Sequence, residues 1–288
     1  MSTAALKKWI TEQLDAKHTP QALFESMLKS GWGVEQARSA LEEVLGVPTE
    51  VAGAQPAAAV GANAGADMPA VPVPEPSVAD YPTTIRLSDR TVNVLSVMKH
   101  PRVIVFGSLL SKEECQQLMD LAAPKLDRSR TVDRATGGEE VNDARTSDGM
   151  FFQRGEGEFV TKIEKRMAEL MNWPYENGEG LQILRYGPGN RYEPHNDYFD
   201  PKDSGTPVIL ARGGQRVATL IVYLQSPEKG GGTVFPDVGF EVVPIAGNAV
   251  FFSYDKPHNS TKTLHGGQPI IQGEKWIATK WVRERVFT

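Results

Sequence analysis

Of the 30 residues from 51 to 80, 18 are alanine, proline or glycine, and none is aromatic. Such a stretch has too little apolar surface to offset the entropy of ordering its backbone. It therefore divides the 288-residue chain into a small N-terminal unit and a much larger C-terminal one. We place the boundaries at 1–48 for the small unit, 49–84 for a flexible linker and 85–288 for the large unit. Within the linker, Pro69-Ala-Val-Pro72-Val-Pro74-Glu-Pro76 favours extended polyproline II geometry, so the segment reads as a tether.

The small unit has helical periodicity. Leu6, Trp9, Ile10 and Leu14 form one run; Leu23, Met27 and Leu28 begin a second that ends at Gly31; Val34, Ala37, Leu41 and Leu45 form a third, closed by Gly46-Val-Pro48. Three short helices with a Gly31-Trp32 turn resemble the ubiquitin-associated type of bundle over residues 5–46. Docking of a protein partner, or oligomerisation, is the expected role.

The large unit mixes both periods. Val103–Phe106 reads as a strand. Ser111-Lys-Glu-Glu114 is a capping box that opens a helix to about Ala123, and Glu158–Trp173 reads as a second helix. Leu181–Tyr186, Val217–Leu224, Phe240–Val243, Ala249–Tyr254 and Trp276–Arg285 are short, rich in β-branched and aromatic residues, and separated by Gly/Pro turns. Helices first and strands later predict an α+β fold. Its core, about residues 178–285, is expected to be a double-stranded β-helix (jelly roll) with flanking helices. Residues 127–150 are polar and carry Arg128, Arg130, Arg134 and Arg145; they read as a mobile flap.

The net charge of −5 argues against non-specific nucleic-acid binding. Cys115 is the single cysteine, so no intramolecular disulfide forms, and its helical setting predicts an inert packing thiol. The first ten residues lack the apolar core of a secretory signal, and no stretch approaches the ~18 apolar residues of a membrane span. A reducing cytoplasm, without membrane attachment, is the expected location.

The chemistry is concentrated in His195-Asn196-Asp197. Pro194 favours extended backbone at Glu193. In extended chain, residues two apart face the same side, so His195 and Asp197 are able to share one metal ion. A third ligand must come from His258 or His265. His258 sits in the turn-like Asp255-Lys-Pro-His-Asn, whereas His265 leads into a strand, which favours His265. Two histidines and a carboxylate on one face suit iron(II) and leave the opposite face open.

Residues 181–197, Leu-Gln-Ile-Leu-Arg-Tyr-Gly-Pro-Gly-Asn-Arg-Tyr-Glu-Pro-His-Asn-Asp, closely resemble the collagen-type prolyl 4-hydroxylase family. So do Gly213-Gly-Gln-Arg-Val-Ala-Thr219, Gly230-Gly-Gly-Thr-Val-Phe-Pro236, the run from Leu264-His-Gly-Gly to Gly-Glu-Lys-Trp276, and Arg145-Thr-Ser-Asp-Gly-Met-Phe-Phe152. The resemblance spans roughly 100–286. It implies iron(II) ligation by His195, Asp197 and His265, and pairing of Lys275 with the far carboxylate of 2-oxoglutarate. Lys280, the competing cation, lies five residues on and is expected on the opposite sheet face. The resemblance further implies that Tyr186 hydrogen-bonds the cosubstrate, that Tyr192 and Trp281 line the pocket, and that Arg145 and Arg216 lie near a peptide groove. L-Ascorbate is the implied auxiliary cofactor. The implied reaction is 4-hydroxylation of peptidyl proline in a protein or peptide, with release of succinate and CO2. Hydroxylation of free proline or another small molecule is the alternative, and a non-catalytic binder of Pro-rich peptides is a third reading. The chain's own proline-rich tract is one conceivable substrate. The chain departs from the animal enzymes in its N-terminal module and its lack of a disulfide pair.

Overall fold

The computed structural model describes residues 10–11, 13–14, 19–29, 34–45, 68–129, 131–133, 135–140 and 144–288. The chain divides into two compact units, Met1–Ala64 and Gly65–Thr288. In the first, helices Pro20–Lys29 and Val34–Leu45 bury Leu23, Phe24, Met27, Ala37 and Leu41 together with Ile10. Of the apolar positions that set the helical spacing in the sequence, Leu23, Met27, Ala37 and Leu41 thus pack together. The first expected helical run, residues 6–14, lies largely outside the described residues, as do residues 46–67.

The second unit is built on an antiparallel sheet of nine strands. Their hydrogen-bonded order is Thr84–Arg86, Thr91–Met98, Arg102–Gly107, Ala249–Ser253, Arg216–Gln225, Lys275–Arg283, Leu181–Tyr186, Asp148–Phe152 and Asp127–Arg128. A smaller antiparallel sheet, ordered Phe240–Val242, Thr233–Phe235, His265–Gly267 and Tyr192–His195, faces it. Two facing antiparallel sheets make the expected jelly roll.

Alternation along the strands sends side chains to two apolar layers. From Arg216–Gln225, Ala218, Leu220, Val222 and Leu224 join the layer under the helices, whereas Ile221 and Tyr223 join the layer between the sheets. Helix Lys112–Ala122 covers the first layer with Cys115, Leu118, Met119 and Ala122. Its start is the expected capping box: the Glu114 amide donates to Ser111 Oγ at 3.1 Å, and the Ser111 amide donates to Glu114 Oε2 at 3.0 Å. Burial pushes the Cys115 thiol up to about 11, in keeping with an inert packing residue. Helix Gly157–Met171 adds Val160, Ile163, Met167 and Leu170 to the same layer.

Two expectations change. The proline-rich half of the segment 49–84 belongs to the large unit. Val71 donates its amide to the Asp255 carbonyl at 2.9 Å, Glu75 pairs with Arg102, and Pro74, Pro76 and Val78 are buried. Composition registers the absence of a private core, but not the surface of another unit that buries a few valines and prolines. Residues 127–150 are likewise not one long loop. Asp127–Arg128 and Asp148–Phe152 pair at the sheet edge, and between them Thr131–Val132 pairs with Glu139–Glu140. The hairpin turn rests on residues 204–205, where Ser204 Oγ donates to the Ala135 carbonyl at 2.8 Å. A Cβ on Gly205 would lie 2.3 Å from the Gly137 nitrogen, so this approach requires glycine.

Among the described residues, no helix is long and apolar enough to cross a membrane.

Candidate active site

The smaller sheet assembles the site. His195 ends one strand, His265 begins the next, and the two are direct register partners. Directly opposed residues bring their side chains to within contact, and the two imidazole centroids are 4.4 Å apart. Asp197, two residues beyond His195, turns its carboxylate towards both rings. Its oxygens lie 3.5 Å from His195 Nε2 and 3.5 Å from His265 Nε2. One ligand atom from each of the three residues falls within 4.8 Å of the others. His258 is elsewhere: it caps the short helical turn Asn259–Thr261, accepting from the Ser260 amide through Nδ1 at 3.1 Å. Of the two candidate histidines, the structure brings His265 to His195 and Asp197.

Local backbone fixes which ring nitrogen faces inward. His195 Nδ1 lies 2.9 Å from the Glu193 carbonyl, and His265 Nδ1 lies 3.0 Å from the Thr263 carbonyl. A carbonyl only accepts, so Nδ1 carries the proton in both rings and Nε2 presents a lone pair to the centre. Burial pushes the His265 imidazole down to about 4, which keeps it neutral. Burial opposes ionisation of Asp197, but the two imidazoles and Arg216 outweigh it and hold its carboxyl well below the usual carboxylate range. Two imidazole nitrogens and one carboxylate converge at separations too long for hydrogen bonds and suited to a shared ion. This donor set fits iron(II).

Lys275 stands on the long sheet as the direct register partner of Tyr186. It is 3 % exposed, its Nζ donates to the Gly231 carbonyl at 2.7 Å, and it stands 4.9 Å from the centre of the Tyr186 ring. No carboxylate among the described residues pairs with it, and burial pushes its ammonium down to about 8. A buried cation without a counter-charge fits an anionic guest. Lys280 points to the other face, as expected, and donates to Glu164 Oε1 on the Gly157–Met171 helix at 2.6 Å.

An open cleft of about 910 Å³ adjoins the donor cluster. His195, Asp197, Arg145, Tyr192, Arg216 and Trp281 all line it. Arg145 lies 5.2 Å from the Tyr192 ring centre, and Tyr192 stacks on His195 with centroids 3.7 Å apart. Arg216 stacks on Trp281 at 4.0 Å, and it also donates to Glu179 at 2.7 and 2.9 Å. Glu179 accepts a further bond from Arg283 at 2.5 Å. Burial would raise the Glu179 carboxyl, but the two guanidinium groups hold it at about 2. Arg216 is therefore committed to a buried ion network as well as to the cleft wall. Removing Glu179 alone would strand both arginines, a class of change that costs about 3–5 kcal/mol.

Three residues at the site escaped the sequence reading: Glu179, Thr219 and Tyr254. Thr219 Oγ1 donates to Asp197 Oδ2 at 2.7 Å and lies 3.0 Å from the Tyr254 hydroxyl. Thr219 ends the Gly213–Thr219 motif and stands in an otherwise apolar run, but its partners lie elsewhere in the chain.

Residues 181–283 match the 2OG-Fe(II) oxygenase superfamily. Prolyl 4-hydroxylase 5 of Arabidopsis thaliana is 39% identical over 220 residues, covering 69% of this chain and 73% of that protein. The chain belongs to the prolyl 4-hydroxylase family. Probable prolyl 4-hydroxylase 8 of the same plant is 41% identical over 214 residues, 67% of this chain and 71% of that protein. Among solved structures, the 2OG complex of viral collagen prolyl hydroxylase from Paramecium bursaria chlorella virus 1 is 32% identical. That match covers 62% of this chain and 94% of that one, at a TM-score of 0.49. As a family member the chain is a 2-oxoglutarate-dependent dioxygenase whose cofactors are iron(II) and 2-oxoglutarate.

Proposed function

We propose that the protein 4-hydroxylates proline within extended peptide segments. In this reading His195, Asp197 and His265 hold iron(II), and Lys275 anchors the far carboxylate of 2-oxoglutarate above the Tyr186 ring. The observation that carries the substrate class is the cleft: His195 and Asp197 line an open trough of about 910 Å³, whereas Lys275 is buried outside it. A free amino acid needs no such trough, whereas a polyproline II strand does. Trp281 supports the same choice. Its indole ring lines the cleft, where an aromatic surface suits a proline-rich segment.

Bound iron(II) with 2-oxoglutarate and dioxygen would supply the oxidising power: as 2-oxoglutarate loses CO2, one atom of dioxygen enters succinate and the other enters a C–H bond of the substrate. The chain's own residues provide binding and orientation. The two histidine–carbonyl bonds hold Nε2 inward. Lys275, itself buried, fixes one end of the dicarboxylate away from solvent. Tyr192, Trp281 and Arg145 shape the wall against which the proline ring lies. Ascorbate is expected to sustain turnover. The N-terminal helical unit is assigned a docking role towards a protein partner, and Pro74 and Pro76, being buried, serve as structure rather than as substrate.

The test supplies iron(II), 2-oxoglutarate and ascorbate and compares succinate release with proline-rich peptides, including residues 66–80, against release with free proline. Peptide-dependent succinate is expected. Turnover of free proline with inert peptides would move the assignment to a small-molecule hydroxylase.

A further inference from the structure

We infer that Thr219 and Tyr254 form a buried positioning relay that fixes the carboxylate of Asp197 for metal binding. This rests on the proposed triad and extends it to residues with no ligand role of their own. A carboxylate at pH 7 only accepts hydrogen bonds, so the 2.7 Å contact from Thr219 Oγ1 to Asp197 Oδ2 uses the single hydroxyl proton of the threonine. The 3.0 Å contact between Thr219 Oγ1 and the Tyr254 hydroxyl must then run the other way, with Tyr254 donating. The direction of the whole chain is thereby set: Tyr254 to Thr219 to Asp197.

The location makes the relay stiff. Thr219 lies mid-strand in Arg216–Gln225, paired with Phe252 on one side and Trp281 on the other. It is fully buried, and its branched side chain has few rotamers. Its neighbours on the same face, Ile221 and Tyr223, belong to the apolar layer between the sheets. Tyr254 is 2 % exposed, and its amide donates to the Val217 carbonyl at 3.0 Å. Asp197 itself lies two residues past the end of the four-residue strand Tyr192–His195. The two imidazoles each have a carbonyl two residues back to set their orientation. The carboxylate has no local equivalent, and Thr219 supplies one from 22 residues away. Groups that orient a ligand in this way typically change metal affinity by about 10–100-fold when removed.

The experiment titrates cobalt(II) into the metal-free full-length chain, read by calorimetry and by the visible d–d absorption of the bound ion. Thr219→Val keeps the shape and removes the hydroxyl. It is expected to weaken cobalt binding by about 10–100-fold and to alter the absorption envelope. Thr219→Ser, which retains the donor, is expected to restore both, and Tyr254→Phe is expected to lose severalfold. His195→Ala is run alongside: if it binds cobalt as tightly as the unaltered protein, the triad itself is wrong. If His195→Ala loses binding while Thr219→Val matches the unaltered protein in affinity and spectrum, the relay alone is overturned. A Thr219→Val chain that binds cobalt normally but melts far lower without metal also overturns it, because the role is then structural. Should Thr219→Val fail to fold, Tyr254→Phe decides, and unaltered affinity and spectrum there refute the relay.

Discussion

His265→Ala is expected to cut substrate-dependent succinate formation by at least about a hundredfold, whereas His258→Ala is expected to stay within about twofold of the unaltered protein. The two histidines are seven residues apart and both follow the Ala249–Ser253 strand, so the comparison is an internal control. The difference follows from register. His265 is the direct partner of His195 and presents Nε2 3.5 Å from Asp197. His258 spends its Nδ1 on the Ser260 amide and faces a turn. The size of the His265 effect reflects loss of a ligand from a three-residue set, which exceeds the loss of a group that merely orients one. Measurement of succinate against peptide concentration, with the iron content of each variant determined in parallel, checks it. An inactive His258→Ala beside an active His265→Ala would reassign the third ligand.

Lys275→Ala is expected to raise the KM for 2-oxoglutarate by at least roughly 30-fold, with a smaller change in kcat once the cosubstrate saturates. Loss of one partner from a buried charge pair costs about 2–5 kcal/mol, and 1.4 kcal/mol is a factor of ten. The pH dependence carries a second signature. Burial pushes the Lys275 ammonium down to about 8, and only the charged form pairs with a carboxylate. Below pH 8 the group is protonated and KM lies on its low plateau. Above pH 8 each further unit removes about nine-tenths of the charged form, so KM rises about tenfold per unit. That slope is absent in Lys275→Ala. An unchanged KM in the variant would place the anchor elsewhere.

What was legible in the sequence was what depends on near neighbours. The capping box of Ser111 and Glu114 is set within four residues, and the structure begins a helix there. Leu181–Tyr186, a short run of Leu, Ile and Tyr bounded by Gly180 and Gly187, is a strand with the same ends. The pair His195 and Asp197 needed only extended backbone to face one way. The Thr91–Met98 strand escaped because it runs near the sheet edge, and its burial does not alternate cleanly. The Pro-rich segment was misread as a tether because its packing partners, Asp255 and Arg102, lie far along the chain. Glu179, Thr219 and Tyr254 were invisible for the same reason: their partners stand across strands, 37, 22 and 35 residues away. Long-range polar pairing leaves no periodic trace in sequence, although it governs how the Asp197 carboxylate is held.

The most direct measurement is turnover of a proline-rich peptide under 18O2, with fragment mass spectrometry of the peptide and of the succinate. One labelled oxygen on C4 of a proline ring and one in succinate, both lost in His265→Ala, is the expected result. An unmodified peptide, or a hydroxyl whose oxygen comes from water, would contradict the assignment.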